Sequence, residues 1–235
     1  MKLGLFSDSH YCKLNTSCGT RRPSLSLGKI RQAMDAFRAE KVDYVLCLGD
    51  LTDKGTTPEE PRQCMKEVME LIGSYGLPFR AIAGNHDYAV FHGAEFSALT
   101  DSPEAPFLLE TDTHTLIFLD ANFRSDLRRF DIAGVEWKDS NLHPDQLSFL
   151  KKALENATKP CVVLLHENLD PTVQVDHIVK NAAEARNIIE NSGKVSLVLQ
   201  GHYHRGADTT LNGIRYLTLP AMCEGEENHF LILDI

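Results

Sequence analysis

The first third of the chain alternates short apolar runs with amphipathic stretches, and this alternation limits the possible folds more than any other feature. The apolar runs at 2–7, 43–48 and 79–83 have the length of buried strands. Between them, residues 26–40 and the segment after Thr57 repeat apolar side chains at helical spacing. A β-α-β-α-β order predicts parallel strands joined by right-handed crossovers, and therefore an α/β fold.

The rest of the chain continues the alternation in a mixed pattern. Strands are predicted at 115–121, 161–166, 195–200 and the C-terminal FLILDI, and helices at 144–154 and about 177–191. Asn212-Gly213 predicts a two-residue hairpin turn. The connections 10–24 and 121–142 are long, and connections of this length are often functional. Because we find no repeat and no linker, we expect one domain over residues 1–235.

A polar cluster follows each of five predicted strands. These clusters are Asp8-Ser9-His10, Gly49-Asp50, Gly84-Asn85-His86-Asp87, His166 and Gly201-His202-Tyr203-His204. In open sheets of parallel strands, ligands bind beyond the carboxyl ends of the strands, so the five clusters should meet at one rim. In an extended chain, alternation would also place Asp8 beside His10, and His202 beside His204.

The rim would hold seven side chains that can bind a cation through oxygen or nitrogen, and no thiolate. They are Asp8, His10, Asp50, Asn85, His166, His202 and His204. Seven ligands are too many for one tetrahedral zinc ion, and they suit two metal ions that share a carboxylate. Singly, each cluster also fits a structural role, such as a capping aspartate or a hydrogen-bonded histidine. Their joint occurrence at strand ends favours the metal site.

The order of these clusters resembles the calcineurin-like metallophosphoesterase family, and the resemblance extends from residue 3 to about residue 204. The family pattern is D-x-H, G-D-x-x-[DN], G-N-H-[DE], a single histidine and G-H-x-H. This chain matches each part, and the second part reads Gly49-Asp50-Leu51-Thr52-Asp53. Five linked motifs in the same order make the resemblance specific.

The resemblance implies a four-layer α/β/β/α sandwich with two mixed sheets and two divalent ions, which we expect to be manganese, iron or zinc. One ion would take Asp8, His10, Asp50 and His204, and the other would take Asp50, Asn85, His166 and His202. In the family, the histidine that matches His86 is no metal ligand and faces the substrate. We expect Asp87 to orient that ring.

The implied activity is hydrolysis of a phosphate ester by a hydroxide that bridges the metals. We predict His86 and Asp87 as catalytic residues, and Asn85, His86 and Arg205 as substrate contacts. By analogy with short members of the family, we expect a small phosphodiester of the cyclic nucleotide or glycerophosphodiester type. A small phosphomonoester is the alternative substrate.

Charge and composition disfavour other functions. With 24 basic and 33 acidic side chains, the formal charge is −9, which disfavours a nuclease or another protein that binds long nucleic acids. A metal-free scaffold on the same fold would lack ligands, whereas every ligand position is filled here. The N-terminus has no secretory signal, no apolar run could span a bilayer, and no CxxC pair occurs. We therefore expect a cytoplasmic protein without membrane contact, and its oligomeric state stays open.

Overall fold

The computed structural model describes residues 1–235, and its strands form two mixed β-sheets. The first sheet contains β1 (Lys2–Phe6), β2 (Tyr44–Cys47), β3 (Phe79–Ala81) and β10 (Leu231–Asp234). The strand order is β10-β1-β2-β3, in which β10 runs antiparallel to β1 and the other pairs are parallel. This confirms the parallel β-α-β-α-β unit predicted for the first third of the chain.

The second sheet has six strands. They are β4 (Phe107–Glu110), β5 (Thr115–Phe118), β6 (Cys161–Leu164), β7 (Val195–Gln200), β8 (Ala207–Leu211) and β9 (Ile214–Thr218). The order is β4-β5-β6-β7-β9-β8, and only the edge strands β4 and β8 pair antiparallel with their neighbours. Asn212 and Gly213 have φ values of 51° and 80° between β8 and β9, so the predicted hairpin turn is confirmed.

The structure has six α-helices, and four of them cover the outer faces of the two sheets. The six are α1 (Ser26–Ala39), α2 (Glu60–Gly73), α3 (Asn85–Tyr88), α4 (Gly93–Thr100), α5 (Pro144–Asn156) and α6 (Ala182–Ser192). Residues of α1 and α2 share one buried apolar cluster with the first sheet, and residues of α5 and α6 share another with the second sheet. The layers follow the order helix, sheet, sheet, helix, and the predicted sandwich is confirmed.

A third apolar cluster lies between the sheets and is formed by the side chains that point inward from the strands. Leu3 and Leu5 of β1 face inward, as do Val162 and Leu164 of β6. Residues of the opposite parity, such as Val163, face the helices instead. Because both faces of the central strands are covered, these strands have nearly continuous apolar sequences, which made them predictable.

Two helices, α2 and α6, begin later than the sequence predicts. The first of them, α2, starts at Glu60 rather than directly after Thr57. The carboxylate of Glu60 accepts hydrogen bonds from the backbone N–H groups of Lys13 and Thr56, both at 2.9 Å, so the chain before Glu60 wraps around this side chain. The other difference is at α6, where residues 175–177 form a separate 3-10 turn and the helix starts at Ala182. No pattern in the sequence predicted α3, α4 or β4.

Two further observations concern the chain as a whole. None of its helices is both long enough and apolar enough to cross a bilayer. All six cysteines are free thiols, and five of them are buried.

Candidate metal centre

The predicted ligands meet where β1, β2, β3, β6 and β7 end, between the two sheets. The first sheet supplies Asp8, His10, Asp50 and Asn85, and the second sheet supplies His166, His202 and His204. Six of these seven residues are buried, and the side chain of His204 is 17% exposed. The convergence predicted from the strand ends is therefore found in the structure.

Asp50 lies between two groups of imidazoles. Its Oδ2 is 3.4 Å from Nε2 of His10 and 3.3 Å from Nε2 of His166. On the first side, Nε2 of His204 is 3.3 Å from Nε2 of His10 and 3.5 Å from Oδ1 of Asp8. On the other side, ligand atoms of Asp50, His166 and His202 lie within 4.8 Å of one another. A carboxylate between two clusters is the arrangement that a shared ligand requires.

Several of these polar atoms are buried without any hydrogen-bond partner in the chain. They are Oδ1 of Asp8, Oδ1 of Asn85, Nε2 of His166 and Nε2 of His202. A buried polar atom without a partner costs about 1–3 kcal/mol, so four at one place need an explanation. All four are atoms that could coordinate a cation, and the donor set therefore fits divalent metal ions.

The backbone at the centre is strained. Asp8, His10, Asp50 and His202 have φ values of 53°, 45°, 53° and 65°, in the left-handed region that residues with a Cβ rarely adopt. Asp8 and His10 do lie beside each other, with Oδ1 of Asp8 3.8 Å from Nε2 of His10, but the extended backbone that was the predicted reason is absent there and at His202. The chain leaves the strand geometry at each site, and the turns that follow aim the ligands.

Close backbone approach depends on two of the glycines in the motifs. A Cβ on Gly84 would lie 2.2 Å from Oδ1 of Asp50, and one on Gly49 would lie 2.4 Å from Nδ1 of His166. Gly49 also has a φ of 99°, which residues with a side chain avoid. Both glycines leave space that the candidate ligands occupy.

Neighbouring groups fix two of the imidazole rings. Nδ1 of His166 lies 2.7 Å from the carbonyl oxygen of Leu48, and Nδ1 of His204 lies 2.6 Å from Oε1 of Glu224. An N–H at Nδ1 that donates to these oxygens leaves Nε2 free as a ligand atom. Metal-binding histidines commonly have such partners, and the ring orientations here suit that role.

The carboxylates produce a negative potential at the rim. Burial lowers the pKa of His10, but Asp50, Asp53 and Asp8 overcome this effect and raise the pKa to about 10. Burial raises the pKa of Asp50, but the nearby imidazoles of His166, His86 and His10 hold it below its ordinary value. A site that attracts protons so strongly also attracts divalent cations, which displace the protons when they bind.

The prediction that Asp87 orients His86 is wrong. The carboxylate of Asp87 accepts hydrogen bonds from the backbone N–H groups of Leu51, Thr52 and Gly84, at 3.0 to 3.2 Å. Asp87 is the third residue of α3, and its side chain folds back to cap that helix. Adjacent residues in a helical turn point in different directions, so sequence proximity to His86 was misleading.

The carboxylate beside His86 is that of Asp53. Its Oδ1 lies 2.9 Å from Nδ1 of His86, and its Oδ2 lies 3.3 Å from Nδ1 of His10. Burial raises the pKa of Asp53, but the hydrogen bonds with His10 and His86 dominate and hold it well below its ordinary value. The side chain of His86 is 29% exposed, so the ring lies at the open side of the centre.

Two arginines near the candidate ligands differ in their surroundings. The predicted substrate contact Arg205 is exposed, and its guanidinium makes no hydrogen bond or ion pair within the chain. Arg21, from the connection 10–24, instead lies 3.9 Å from Oδ2 of Asp53 with 18% of its side chain exposed. Arg21 is thus the cationic side chain held beside the candidate centre.

Two further residues, which had no predicted role, lie at the rim. Cys223 lies with His10 and His204 in a group of candidate ligand atoms within 4.8 Å of one another. Trp137, in the connection 121–142, has its ring centre 5.7 Å from that of His202. The signal for Cys223 was available, because it follows β9, and β9 runs parallel to β7. No pattern in the sequence indicated Trp137.

The sequence of this chain is similar to those of known proteins. The family profile described as calcineurin-like phosphoesterase matches residues 1–206. A 3′,5′-cyclic adenosine monophosphate phosphodiesterase of Haemophilus influenzae is 26% identical over 201 residues, which are 84% of this chain and 65% of that protein. A protein of Arcobacter nitrofigilis, named a probable glycerophosphodiester phosphodiesterase, is 30% identical over 83% of this chain and 67% of its own length. The chain thus spans about two thirds of each relative.

Solved structures with the same fold include a dimetal phosphatase from Danio rerio. The two chains align with a TM-score of 0.83 at 16% identity, over 98% of this chain and 91% of the other. The inner-membrane-complex anchor GAP50 of Plasmodium aligns with a TM-score of 0.62 at 16% identity, over 93% of this chain and 70% of the other. At these identities the likeness shows the fold.

Proposed function

Because this chain belongs to the calcineurin-like phosphoesterase family, we propose that it hydrolyses small phosphodiesters at a centre of two divalent metal ions. The relatives named above, a cyclic nucleotide phosphodiesterase and a glycerophosphodiester phosphodiesterase, support this substrate class. The observation that carries the proposal is the set of four buried, unpartnered ligand atoms on both sides of Asp50.

Each ion has a proposed set of ligands. Asp8, His10, Asp50 and His204 would hold one ion, and Asp50, Asn85, His166 and His202 would hold the other. Two such ions lower the pKa of a bound water and neutralise charge on the phosphate oxygens. Manganese, iron and zinc all accept this mixture of imidazole and carboxylate ligands.

His86 has the position of a general acid. Its Nδ1 is paired with Asp53, so the ring is fixed and Nε2 can hold the proton that the departing oxygen requires. Arg21, close to Asp53 and partly exposed, is suited to contact a phosphate oxygen.

Substrate class and metal requirement can be tested together. The purified protein is loaded with manganese, zinc or iron, its metal content is measured, and each form is assayed on a cyclic nucleotide, a glycerophosphodiester and a matched phosphomonoester. We expect about two ions per chain and a preference for one of the two diesters. Preference for the monoester would show that the substrate is a phosphomonoester and not a phosphodiester. Absence of turnover with all three metals would refute the proposal.

Replacement of His86 tests the proposed acid. His86→Ala should lower kcat by a factor of about 10² to 10⁴, the usual contribution of general acid catalysis, and leave the metal content near two. His114→Ala removes a histidine next to the amino end of β5, away from the rim, and should change kcat less than about twofold. Full turnover in His86→Ala would exclude the role.

A further inference from the structure

A buried thiol lies beside the ligands proposed for one of the two metal ions. We propose that Cys223 is an additional ligand of the ion held by Asp8, His10, Asp50 and His204, so that one metal position has a thiolate and the other has none. The inference rests on the proposed function in one respect, because it requires the metal centre. It is independent of which ester is hydrolysed.

The distances and the burial support coordination. Candidate ligand atoms of His10, His204 and Cys223 lie within 4.8 Å of one another. Bonds from zinc to nitrogen and sulfur are about 2.0 and 2.3 Å long, so ligands of one ion are separated by about 3 to 4.5 Å. Oδ1 of Asp8, which is 3.5 Å from Nε2 of His204, is buried and has no hydrogen-bond partner. The thiol therefore joins a group that already contains an unsatisfied ligand atom.

The topology brings Cys223 to the rim for the same reason as the other ligands. β9 is parallel to β7, so the segment after β9 emerges at the edge where His202 and His204 follow β7. The backbone N–H of Cys223 donates to the carbonyl oxygen of Asp8 at 3.0 Å. That of Ala221 donates to the carbonyl oxygen of His204, also at 3.0 Å. These bonds tie the thiol segment directly to two of the proposed ligands.

A buried lysine holds the same segment in place. Nζ of Lys29 donates to the carbonyl oxygens of Met222, Glu224 and Gly225 at 2.7, 3.1 and 3.0 Å. Lys29 is 4% exposed, and its ammonium is therefore committed to this turn. A ligand on a fixed backbone loses little conformational freedom when it binds, so the position of Cys223 favours coordination.

The other cysteines have no such position. Cys223 is the one cysteine that the structure places in a group of three candidate ligands. Cys47 and Cys161 lie within strands and face apolar clusters, where a thiol packs as a small hydrophobic side chain. Cys223 is thus the cysteine whose sulfur is grouped with candidate ligand atoms of the centre.

Coordination by sulfur would change the metal preference. A sulfur–metal bond forms as the S–H bond breaks, and the proton leaves to solvent. Thiolate is a soft ligand that favours zinc and iron, whereas manganese prefers oxygen ligands. We therefore expect the position with Cys223 to select zinc or iron over manganese.

Cobalt(II) tests the proposal without a substrate, because a thiolate ligand gives cobalt an intense charge-transfer absorption in the near ultraviolet. We expect this band in the wild-type protein loaded with two cobalt ions, and its loss in Cys223→Ser and Cys223→Ala. Cys161→Ala, which removes another buried thiol from the amino end of β6, should retain the band. In zinc-loaded protein, Cys223→Ala should release one ion to a chelator at least about tenfold faster.

The wild-type measurement alone can overturn the inference, even if the variants do not fold. Two bound cobalt ions without a thiolate band would exclude Cys223 as a ligand and leave the proposed function intact. No bound cobalt would contradict both. A band that persists in Cys223→Ser would exclude Cys223 as its source.

Discussion

Asp53 is the residue that connects the candidate acid with the candidate metal ligands. One oxygen of its carboxylate lies beside Nδ1 of His86, and the other lies beside Nδ1 of His10. Asp53 belongs to the second sequence motif, but the role of orienting His86 was predicted for Asp87, which is adjacent to His86 in the chain. Contacts across a turn depend on backbone geometry that a motif does not contain. This is why the convergence of the candidate ligands could be predicted and the carboxylate beside His86 could not.

Two isosteric replacements distinguish the role of Asp53 from that of Asp87. Asp53→Asn should lower kcat by a factor of about 10² to 10⁴, because an amide has a single oxygen and cannot accept from Nδ1 of both His86 and His10. Asp87→Asn should lower the free energy of unfolding by about 1–3 kcal/mol, because it weakens three buried hydrogen bonds. Steady-state assays and urea unfolding of both variants provide the comparison.

One result would contradict a catalytic role for Asp53 and a stabilising role for Asp87. If Asp87→Asn loses turnover as severely as Asp53→Asn while its unfolding free energy is unchanged, Asp87 acts on His86 and the static contacts are misleading. Metal analysis of both variants shows whether a loss of turnover results from a loss of bound metal.

At the level of elements, the long periodic segments were predictable and the short ones were not. The sequence predicted α1, whose bounds differ by one residue from the expected 26–40. In contrast, α3 has four residues, and β4 is an edge strand with alternate exposed side chains. Such short elements have too little pattern of their own, and contacts with the rest of the fold determine them.

The contact between β1 and α1 allows a direct test of packing. A Cβ on Gly4 would lie 2.7 Å from the ring of Phe37, which is fully buried in α1. Gly4→Ala should therefore destabilise the fold by about 1–3 kcal/mol through overpacking. Gly28 lies in α1, as Phe37 does, and a Cβ there would have no atom within 4 Å. Gly28→Ala should therefore stabilise the fold by about 0.5–1 kcal/mol.

Urea unfolding of both glycine variants gives the measurement. Opposite signs would show that α1 is seated directly on β1 with no spare space. Equal effects of Gly4→Ala and Gly28→Ala would mean that the helix can move away from the sheet without cost.

On the scale of the whole molecule, the candidate centre connects the two sheets. Asp8, Asp50 and Asn85 extend from the first sheet, whereas His166 and His202 extend from the second. The layered architecture followed from the family resemblance, because the alternation of elements alone predicted parallel strands but not how many sheets they form. An ion bound across the interface would add a link between layers that otherwise meet through apolar side chains.

Removal of metal should therefore destabilise the whole fold. A ligand at one hundred times its Kd stabilises the native state by about 2.7 kcal/mol. For a chain of this length, that corresponds to a fall in Tm of about 5–10 °C after treatment with a chelator. Scanning calorimetry before treatment, after it and after metal is restored is the measurement. An unchanged Tm in fully stripped protein would mean that the ions do not hold the sheets together.

Trp137 gives the molecule an intrinsic optical reporter. It is the only tryptophan in the chain, and its ring is next to that of His202. Indole emission responds to the charge and polarity of its immediate surroundings. When tryptophan is excited selectively, the emission of an unlabelled sample would therefore arise from one place, at the edge of the proposed centre, and the filling of that centre could be followed in real time.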